Sequence, residues 1–320
     1  MTNKEKTVLI TKNGIRHDGR KKTDLREIRF EVGILDRADG SAIIYWGKNK
    51  ILVAVYGPRE LHPKHMALPD RALIRCEYRM ATFSVTERKS PAPKRREKEI
   101  SKILAEAIEP AVFDYLYPRS VIDVFIEVLQ ADGGSRCASI TAAALALADA
   151  GIPMKDLVVG CAAGNLNGEV VIDLDDVEDK EGQGDLPIAV LPLSGEVVLL
   201  QSDGVFNPEQ YKEALDLLMD ACQTIYKLQR EAITNKYAKI TEEIIETVEV
   251  EPEPTEAKVD KKKKGEKTEE KKETEEKTPK KKASAKKAKS EQSEESEKKK
   301  KTSKKKEKKT PPKKDEEAKE

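Results

Sequence analysis

The sequence predicts an α+β protein, in which sheets pack against a few helices. Three observations support this fold class. Short alternating strands separated by turn signals come first, a nearly all-apolar helix follows at residues 137–150, and hairpin signals followed by a long helical pattern then appear again. The repeated order of strands and then helix suggests two similar halves, although we find no residue-level repeat between them.

The composition changes near Val250, and this change sets the predicted domain boundary. Residues 251–320 carry 27 Lys and 19 acidic residues, whereas residues 1–250 carry 33 basic and 40 acidic residues, so net charges of +8 and −7 nearly cancel. After Val259 the tail has no aliphatic side chain larger than Ala, too little apolar surface to offset chain entropy. We therefore predict a folded domain at 1–246 and a disordered Lys/Glu-rich tail at 247–320, either a solvating appendage or a basic arm for nucleic acid.

Cysteine usage and hydropathy indicate a cytoplasmic protein with no membrane partner. The four cysteines form no CxxC pair and are predicted to be small buried hydrophobic residues in a reducing compartment. The sequence shows no signal peptide and no apolar run of about 18 residues.

The first half of the domain is predicted to contain strands joined by hairpins. Alternating or apolar segments bounded by turn residues lie at 28–32, 42–46, 51–56 and 72–83. Gly57 and Pro58 are predicted to end the third strand, and residues 59–70 are predicted to be a loop that carries Arg59, Lys64 and His65.

A helix is predicted from Arg95 onward, after prolines that keep the preceding segment extended. Its apolar residues recur at three- and four-residue spacing up to Val112. Arg95 and Arg96 lie in the first turn, where the helix dipole disfavours cations. Either an anionic partner explains them or they are solvated charges on a polar face.

The segment at residues 121–150 combines a strand, a glycine turn and a buried helix. Gly133, Gly134, Ser135 and Arg136 form the turn, just before a helix that is apolar on nearly every face. Free amides at a helix N-terminus, close backbone approach at glycine and a guanidinium all favour a bound phosphate. The alternative is an ordinary helix N-terminus with a surface arginine.

The second half repeats the pattern of strands and helix. A hairpin is predicted at 157–163 and 169–174, strands at 186–193 and 197–201, and a helix from Asn207 to about Lys239 with Asn at the N-cap and Pro at N1. Between hairpin and strands lies an acidic segment that includes Asp179 and Asp185. Its carboxylates suit a general acid or a Mg²⁺ site, or form a solvated acidic loop.

Several common enzyme classes are not supported. The chain contains no GxSxG, HExxH or Walker A motif, and its three histidines all lie in predicted loops.

Seven motifs along the chain occur in an order that matches one known family. They are GIRHDGR, VYGPRE, LHPKH, ERKSPAPKRRE, LQADGGSR, ALADAGIPM and EDKEGQGDLPIA. Between about Gly14 and Lys239 the chain resembles the RNase PH family and, within it, the catalytic RNase PH-like subunits of the archaeal exosome. The narrower likeness depends mainly on PAPKRRE and EDKEGQGD, and it stops before the tail.

The resemblance implies an RNase PH-type (ribosomal protein S5 domain 2-like) fold with two βα halves sharing a core. It implies a hexameric ring of three heterodimers with a non-catalytic RNase PH-like paralogue, capped by S1- or KH-type RNA-binding subunits. RNA would enter by its 3′ end. Inorganic phosphate, the co-substrate, would attack the terminal linkage and release a nucleoside diphosphate. The reaction could also run backwards and add RNA tails.

The resemblance also implies roles for single residues. Gly133, Gly134, Ser135 and Arg136 would bind the attacking phosphate. Asp179 would be the catalytic carboxylate, as general acid or as Mg²⁺ ligand, and Asp185 would share either task. Arg95 and Arg96 would hold the last RNA phosphates, and Arg59, Lys64 and His65 would belong to a loop that narrows the pore around RNA.

Two other functions stay open at this point. One is a non-catalytic RNA-threading subunit of the same ring, which would not need both a phosphate site and a carboxylate. The other is a stand-alone RNase PH-like enzyme that trims tRNA 3′ ends as a homohexamer.

Overall fold

The computed structural model describes residues 9–11 and 14–249, with side chains up to residue 241. From residue 250 onward the predicted tail lies outside the described residues. Residues 247–249, which the prediction assigned to the tail, belong to a helix. Within residues 9–249, helices with both the length and the apolar character of a membrane span are absent.

The first sheet has five strands in the order β1-β2-β3-β5-β4, all antiparallel except the parallel pair β4 and β5. Alternating side chains put one face of each strand into the core. The strands are β1 (Ile28–Val32), β2 (Gly40–Trp46), β3 (Asn49–Glu60), β4 (Leu73–Met80) and β5 (Ser120–Gln130).

The second sheet is antiparallel and also has five strands, in the order β10-β8-β6-β7 with β9 pairing to β8. The strands are β6 (Val159–Leu166), β7 (Glu169–Ile172), β8 (Gly184–Leu191), β9 (Glu196–Leu200) and β10 (Asp203–Gly204).

Four α-helices complete the described fold: α1 (Arg95–Ile108), α2 (Ser135–Asp149), α3 (Asp176–Glu181) and α4 (Pro208–Glu249). Helix α2 contacts strands of both sheets and is buried along every residue from Cys137 to Leu147. The predicted α+β class, the two halves around a shared core and the buried helix are therefore confirmed. All four cysteines are buried, as predicted.

Several predicted boundaries were wrong, among them that of the strand predicted at 72–83, which ends at Met80. Strand β3 does not end at Gly57-Pro58, because pairing with β5 resumes after a bulge and places Arg59 opposite Val121. At a bulge, the missing N–H of proline costs no ladder hydrogen bond. Helix α1 ends at Ile108 rather than near Val112, because Pro110 has no N–H to continue the helical hydrogen bonding. The acidic segment is not all loop, since it contains α3, and α4 extends to Glu249.

Candidate active site

Strand β5 leads directly into the glycine turn at the start of α2. Gly133 and Gly134 both have positive φ, +71° and +67°, and Gly134 is the N-cap of α2. A Cβ on Gly133 would collide with the backbone of Asp175, so only glycine fits there. Among the described residues no side chain caps this helix end, and its first amides stay available to an anion.

Two buried side chains hold the turn from behind. Asn49 accepts a hydrogen bond from the Asp132 amide at 2.6 Å and donates to the Gly133 carbonyl at 2.7 Å. Arg26 donates to the Asp132 carbonyl at 2.5 Å and pairs with Asp173 at 2.7 Å. Burial alone would lower the pKa of Arg26, but the adjacent Asp173 carboxylate raises it above its usual value. The turn is therefore fixed by a permanent cation.

Ser135 and Arg136 present their side chains at the first turn of α2. The Ser135 hydroxyl lies 3.0 Å from that of Tyr78, which is 2% exposed. Arg136 donates to Gln201 through Nη1, while its buried Nε has no hydrogen-bond partner among the described residues. A buried guanidinium nitrogen without an acceptor is costly, and a bound anion would satisfy it.

Asp179 on α3 and Asp185 at the start of β8 approach the same helix end. Loss of hydration raises the pKa of both carboxyls. Asp179 raises the pKa of Asp185 further, and Arg136 lowers the pKa of each. Asp179 is exposed at the surface, yet the groups around its carboxyl remove part of its hydration. The two carboxylates and Arg136 thus form one electrostatic group.

Arg96 joins this group, whereas no contact connects Arg95 to it. Both arginines are exposed in the first turn of α1, and neither forms an ion pair with a described residue. The charge of Arg96 lowers the pKa of Asp179. Glu97 offsets the unfavourable helix end by accepting a hydrogen bond from the Lys94 amide at 2.7 Å.

The structure does not bring Arg59, Lys64 and His65 to this site. Asn49 and Arg59 mark opposite ends of β3, about 30 Å apart at the usual rise of an extended strand. Arg59 pairs with Asp39 at 3.1 Å and lies over the Tyr56 ring, Lys64 pairs with Glu60 at 2.6 Å, and His65 is exposed. These residues form a second, separate basic region.

One other trio has the geometry of metal ligands. The side chains of His17, Asp18 and Asp175 place ligand atoms within 4.8 Å of one another. However, His17 Nε2 lies 2.9 Å from Asp175, and Arg20 occupies the Asp18 carboxylate at 2.5 Å. The trio is satisfied by protein groups.

Arg16 and Arg26 received no site role from the sequence, and Asp173 and Glu178 were recognised only as members of the acidic segment, yet all four build the site. All carry charge yet contact the site from inside the protein. The GIRHDGR motif was the one signal that could have indicated Arg16.

Comparisons with known proteins agree with this arrangement. A model of the 3′ exoribonuclease family, domain 1, matches residues 24–153, and one of domain 2 matches residues 156–220. The chain is 56% identical over 236 residues to the exosome complex component Rrp41 of Thermococcus kodakarensis, covering 74% of this chain and 95% of that protein. With the Rrp41 of Methanopyrus kandleri it shares 54% over 229 residues, covering 72% and 96%.

Solved structures show the same fold. Rice Rrp46 superposes with a TM-score of 0.61 at 27% identity, over 67% of this chain and 98% of that chain. An Archaeoglobus fulgidus exosome with RNA bound to the active site gives a TM-score of 0.58 at 22% identity, over 67% and 92%. The two matched domains, the identity to the archaeal proteins and the shared fold show that this chain belongs to the RNase PH family of 3′ exoribonucleases.

Proposed function

We propose that this chain is the catalytic subunit of an exosome and degrades RNA from the 3′ end by phosphorolysis. One observation carries the proposal: the charges of Arg96, Arg136, Asp179 and Asp185 interact beside the glycine turn at the start of α2. Such a site combines an anion cradle with a carboxyl group able to donate a proton. The high identity to proteins named Rrp41 supports the exosome assignment.

In the proposed reaction, inorganic phosphate lies in the cradle formed by Gly133, Gly134, Ser135 and Arg136. One phosphate oxygen attacks the terminal phosphodiester phosphorus, and the bond from that phosphorus to the 3′ oxygen of the preceding nucleotide breaks. Asp179 gives its proton to this oxygen. The products are a nucleoside diphosphate and an RNA one nucleotide shorter. The reverse steps add a nucleotide and release phosphate.

Cations position the two anionic reactants. Arg136 contacts the attacking phosphate through Nε, which has no hydrogen-bond partner in the described part of the chain, and Arg96, with Arg95 beside it, holds the terminal RNA phosphates. Positioning and charge stabilisation are the main demands of phosphoryl transfer. Loss of hydration and the like charge of Asp176 raise the pKa of Asp179 and favour its protonated form. Loss of hydration and the charge of Asp179 do the same for Asp185.

The donor set also fits Mg²⁺. Two carboxylates next to a phosphate site, with pKa values raised chiefly by loss of hydration, are the ligand class that this cation uses. Asp179 and Asp185 would hold the ion, which would supply charge neutralisation at the phosphates.

The proposed assembly is a cytoplasmic hexameric ring in which three copies alternate with a non-catalytic RNase PH-like paralogue, beneath S1- or KH-type caps. The region of Arg59, Lys64 and His65 lies about 30 Å along the sheet from the site, as a pore loop on the path of the incoming RNA would. A homohexameric tRNA-trimming enzyme would instead assemble without a paralogue, which the mass of the purified complex distinguishes.

The test uses an end-labelled oligoadenylate and the full chain, alone and together with its paralogue. We expect the oligomer to shorten only when inorganic phosphate is present. Shortening at the same rate without phosphate would contradict phosphorolysis. Retained RNA binding with no shortening in any preparation would favour the non-catalytic subunit.

A further inference from the structure

A fully buried ion pair joins the loop at residues 14–20 to helix α3, and the mechanism above does not use it. The side chains of Arg16 and Glu178 are both 0% exposed and pair directly with each other. Arg16 Nε donates to Glu178 Oε1 at 2.7 Å, and its other nitrogens donate to the carbonyls of Ile172 and Asp173 at 2.7 and 2.8 Å. One arginine thus joins both ends of the segment that leads into α3.

The position of Glu178 makes this pair relevant to the chemistry. Glu178 immediately precedes Asp179, and consecutive helical residues point about 100° apart. Fixing Glu178 towards the interior therefore fixes the direction of Asp179 towards the glycine turn. Glu178 also accepts a hydrogen bond from the Asp175 amide at 3.2 Å and closes a capping box with Asp175.

Helix α3 needs such external support, because its six residues are too few to be stable alone. Two further contacts from the same loop reach this segment: His17 lies 2.9 Å from Asp175, and Arg20 donates to the Asp173 carbonyl at 3.0 Å. The loop is itself closed by a hydrogen bond from the Arg16 amide to the Arg20 carbonyl at 2.9 Å.

We propose that Arg16 and Glu178 are a positioning pair that orients Asp179 for proton transfer to the departing 3′ oxygen. The proposal rests on the proposed function, in which Asp179 is the general acid. A buried ion pair adds little stability compared with apolar residues of similar volume, but it imposes a defined geometry. Loop 14–20 then belongs to the reaction machinery without touching RNA or phosphate.

The test replaces both members at once, with Arg16→Met and Glu178→Met, in the full chain assembled with its paralogue. Unbranched apolar side chains fill the space without leaving a lone buried charge, so the fold is expected to persist. We expect kcat to fall about 100-fold, the size of effect that follows from a small misplacement of a reacting group. The KM for phosphate should change by less than about twofold.

The pH profile separates positioning from general damage. A less firmly held α3 gives Asp179 more water, so its raised pKa should fall towards the ordinary value and the alkaline limb of the kcat profile should move to lower pH. A matched control is Lys236→Met with Asp149→Met, which removes an ion pair between α4 and α2. This control should lower thermal stability without moving the profile.

Two results would overturn the proposal: a folded double variant with kcat within about threefold of wild type, or an equal loss of kcat in the control at equal loss of stability. If the double variant does not assemble, Arg16→Lys gives the same readout, because it keeps a positive charge opposite Glu178 but loses the hydrogen bonds to the Ile172 and Asp173 carbonyls. Complete loss of activity in Asp179→Asn alongside a fully active double variant would refute the positioning pair alone. An active Asp179→Asn would refute the general acid itself.

Discussion

Two basic regions lie at opposite ends of strands β3 and β5, and they differ in how the protein holds them. At the end near Asn49, the Arg26 side chain is largely buried, and Arg136 has a buried nitrogen with no partner within the described residues. Loss of hydration raises the pKa of the neighbouring Asp179 and Asp185 carboxyls. At the other end, Arg59 and Lys64 are exposed and pair with surface carboxylates. Exposed ion pairs contribute little to stability, whereas buried charges shift the pKa values of groups that react. This difference supports the proposal that the first region carries the chemistry and the second guides RNA.

The largest expected effect comes from removing the proton donor. We expect Asp179→Asn to lower single-turnover RNA cleavage at least 1,000-fold, within the range that general acids contribute, while RNA binding survives. Gel-shift and single-turnover assays on the same preparation measure both quantities. Loss of binding in parallel with cleavage would mean that Asp179 organises the site instead.

The next largest effect is expected from removing the arginine that binds phosphate. We expect Arg136→Ala to raise the KM for phosphate sharply and to lower kcat by about 100-fold, comparable to removing one stabilising donor from a transition state. Titration of phosphate at saturating RNA measures both parameters. Arg59→Ala is the control and should leave the phosphate KM unchanged; an equal effect of the two variants would contradict separate roles for the two regions.

A smaller effect concerns pH and stability. Because the folded protein raises the pKa of Asp179, the folded state binds protons more readily than the unfolded state, and stability falls as pH rises from the ordinary carboxyl value to the raised one. Asp179→Asn should therefore raise the melting temperature at pH 7.5 and lose this advantage below about pH 4, near the ordinary pKa of aspartate. A variant less stable than wild type at pH 7.5 would contradict the raised pKa.

The smallest effect on chemistry is expected in the second region. Combined Arg59→Ala, Lys64→Ala and His65→Ala should leave kcat on a short oligonucleotide within about twofold. The same variant should weaken binding of long RNA and reduce its salt dependence, because each phosphate contact releases a counterion. Affinities measured between 50 and 200 mM salt test this. An unchanged salt slope would mean that the region does not contact RNA.

Sequence reasoning found the elements whose pattern is local. The strand, the glycine turn and the buried helix that hold Gly133 and Arg136 follow from hydropathy and turn chemistry within about 30 residues. The place of Arg96 in the first turn of α1 was found in the same way.

The parts of the site that could not be predicted depend on contacts between distant parts of the chain. Arg16 and Glu178 are 162 residues apart, and each alone has the character of a solvated polar residue. Helix α3 has no apolar periodicity to reveal it, since five of its six residues are charged. Its helical state depends on the Asp175 cap and on Arg16, which only the folded protein brings together.

The most direct test of the account follows the fate of the phosphate. Unlabelled RNA is incubated with ³²P-labelled inorganic phosphate and the full chain assembled with its paralogue, and the nucleotides are separated by chromatography. We predict that the label appears in the β-phosphate of nucleoside diphosphates, in step with RNA shortening. Shortening that yields only unlabelled nucleoside monophosphates would show hydrolysis and contradict the phosphate cradle at Gly133–Arg136.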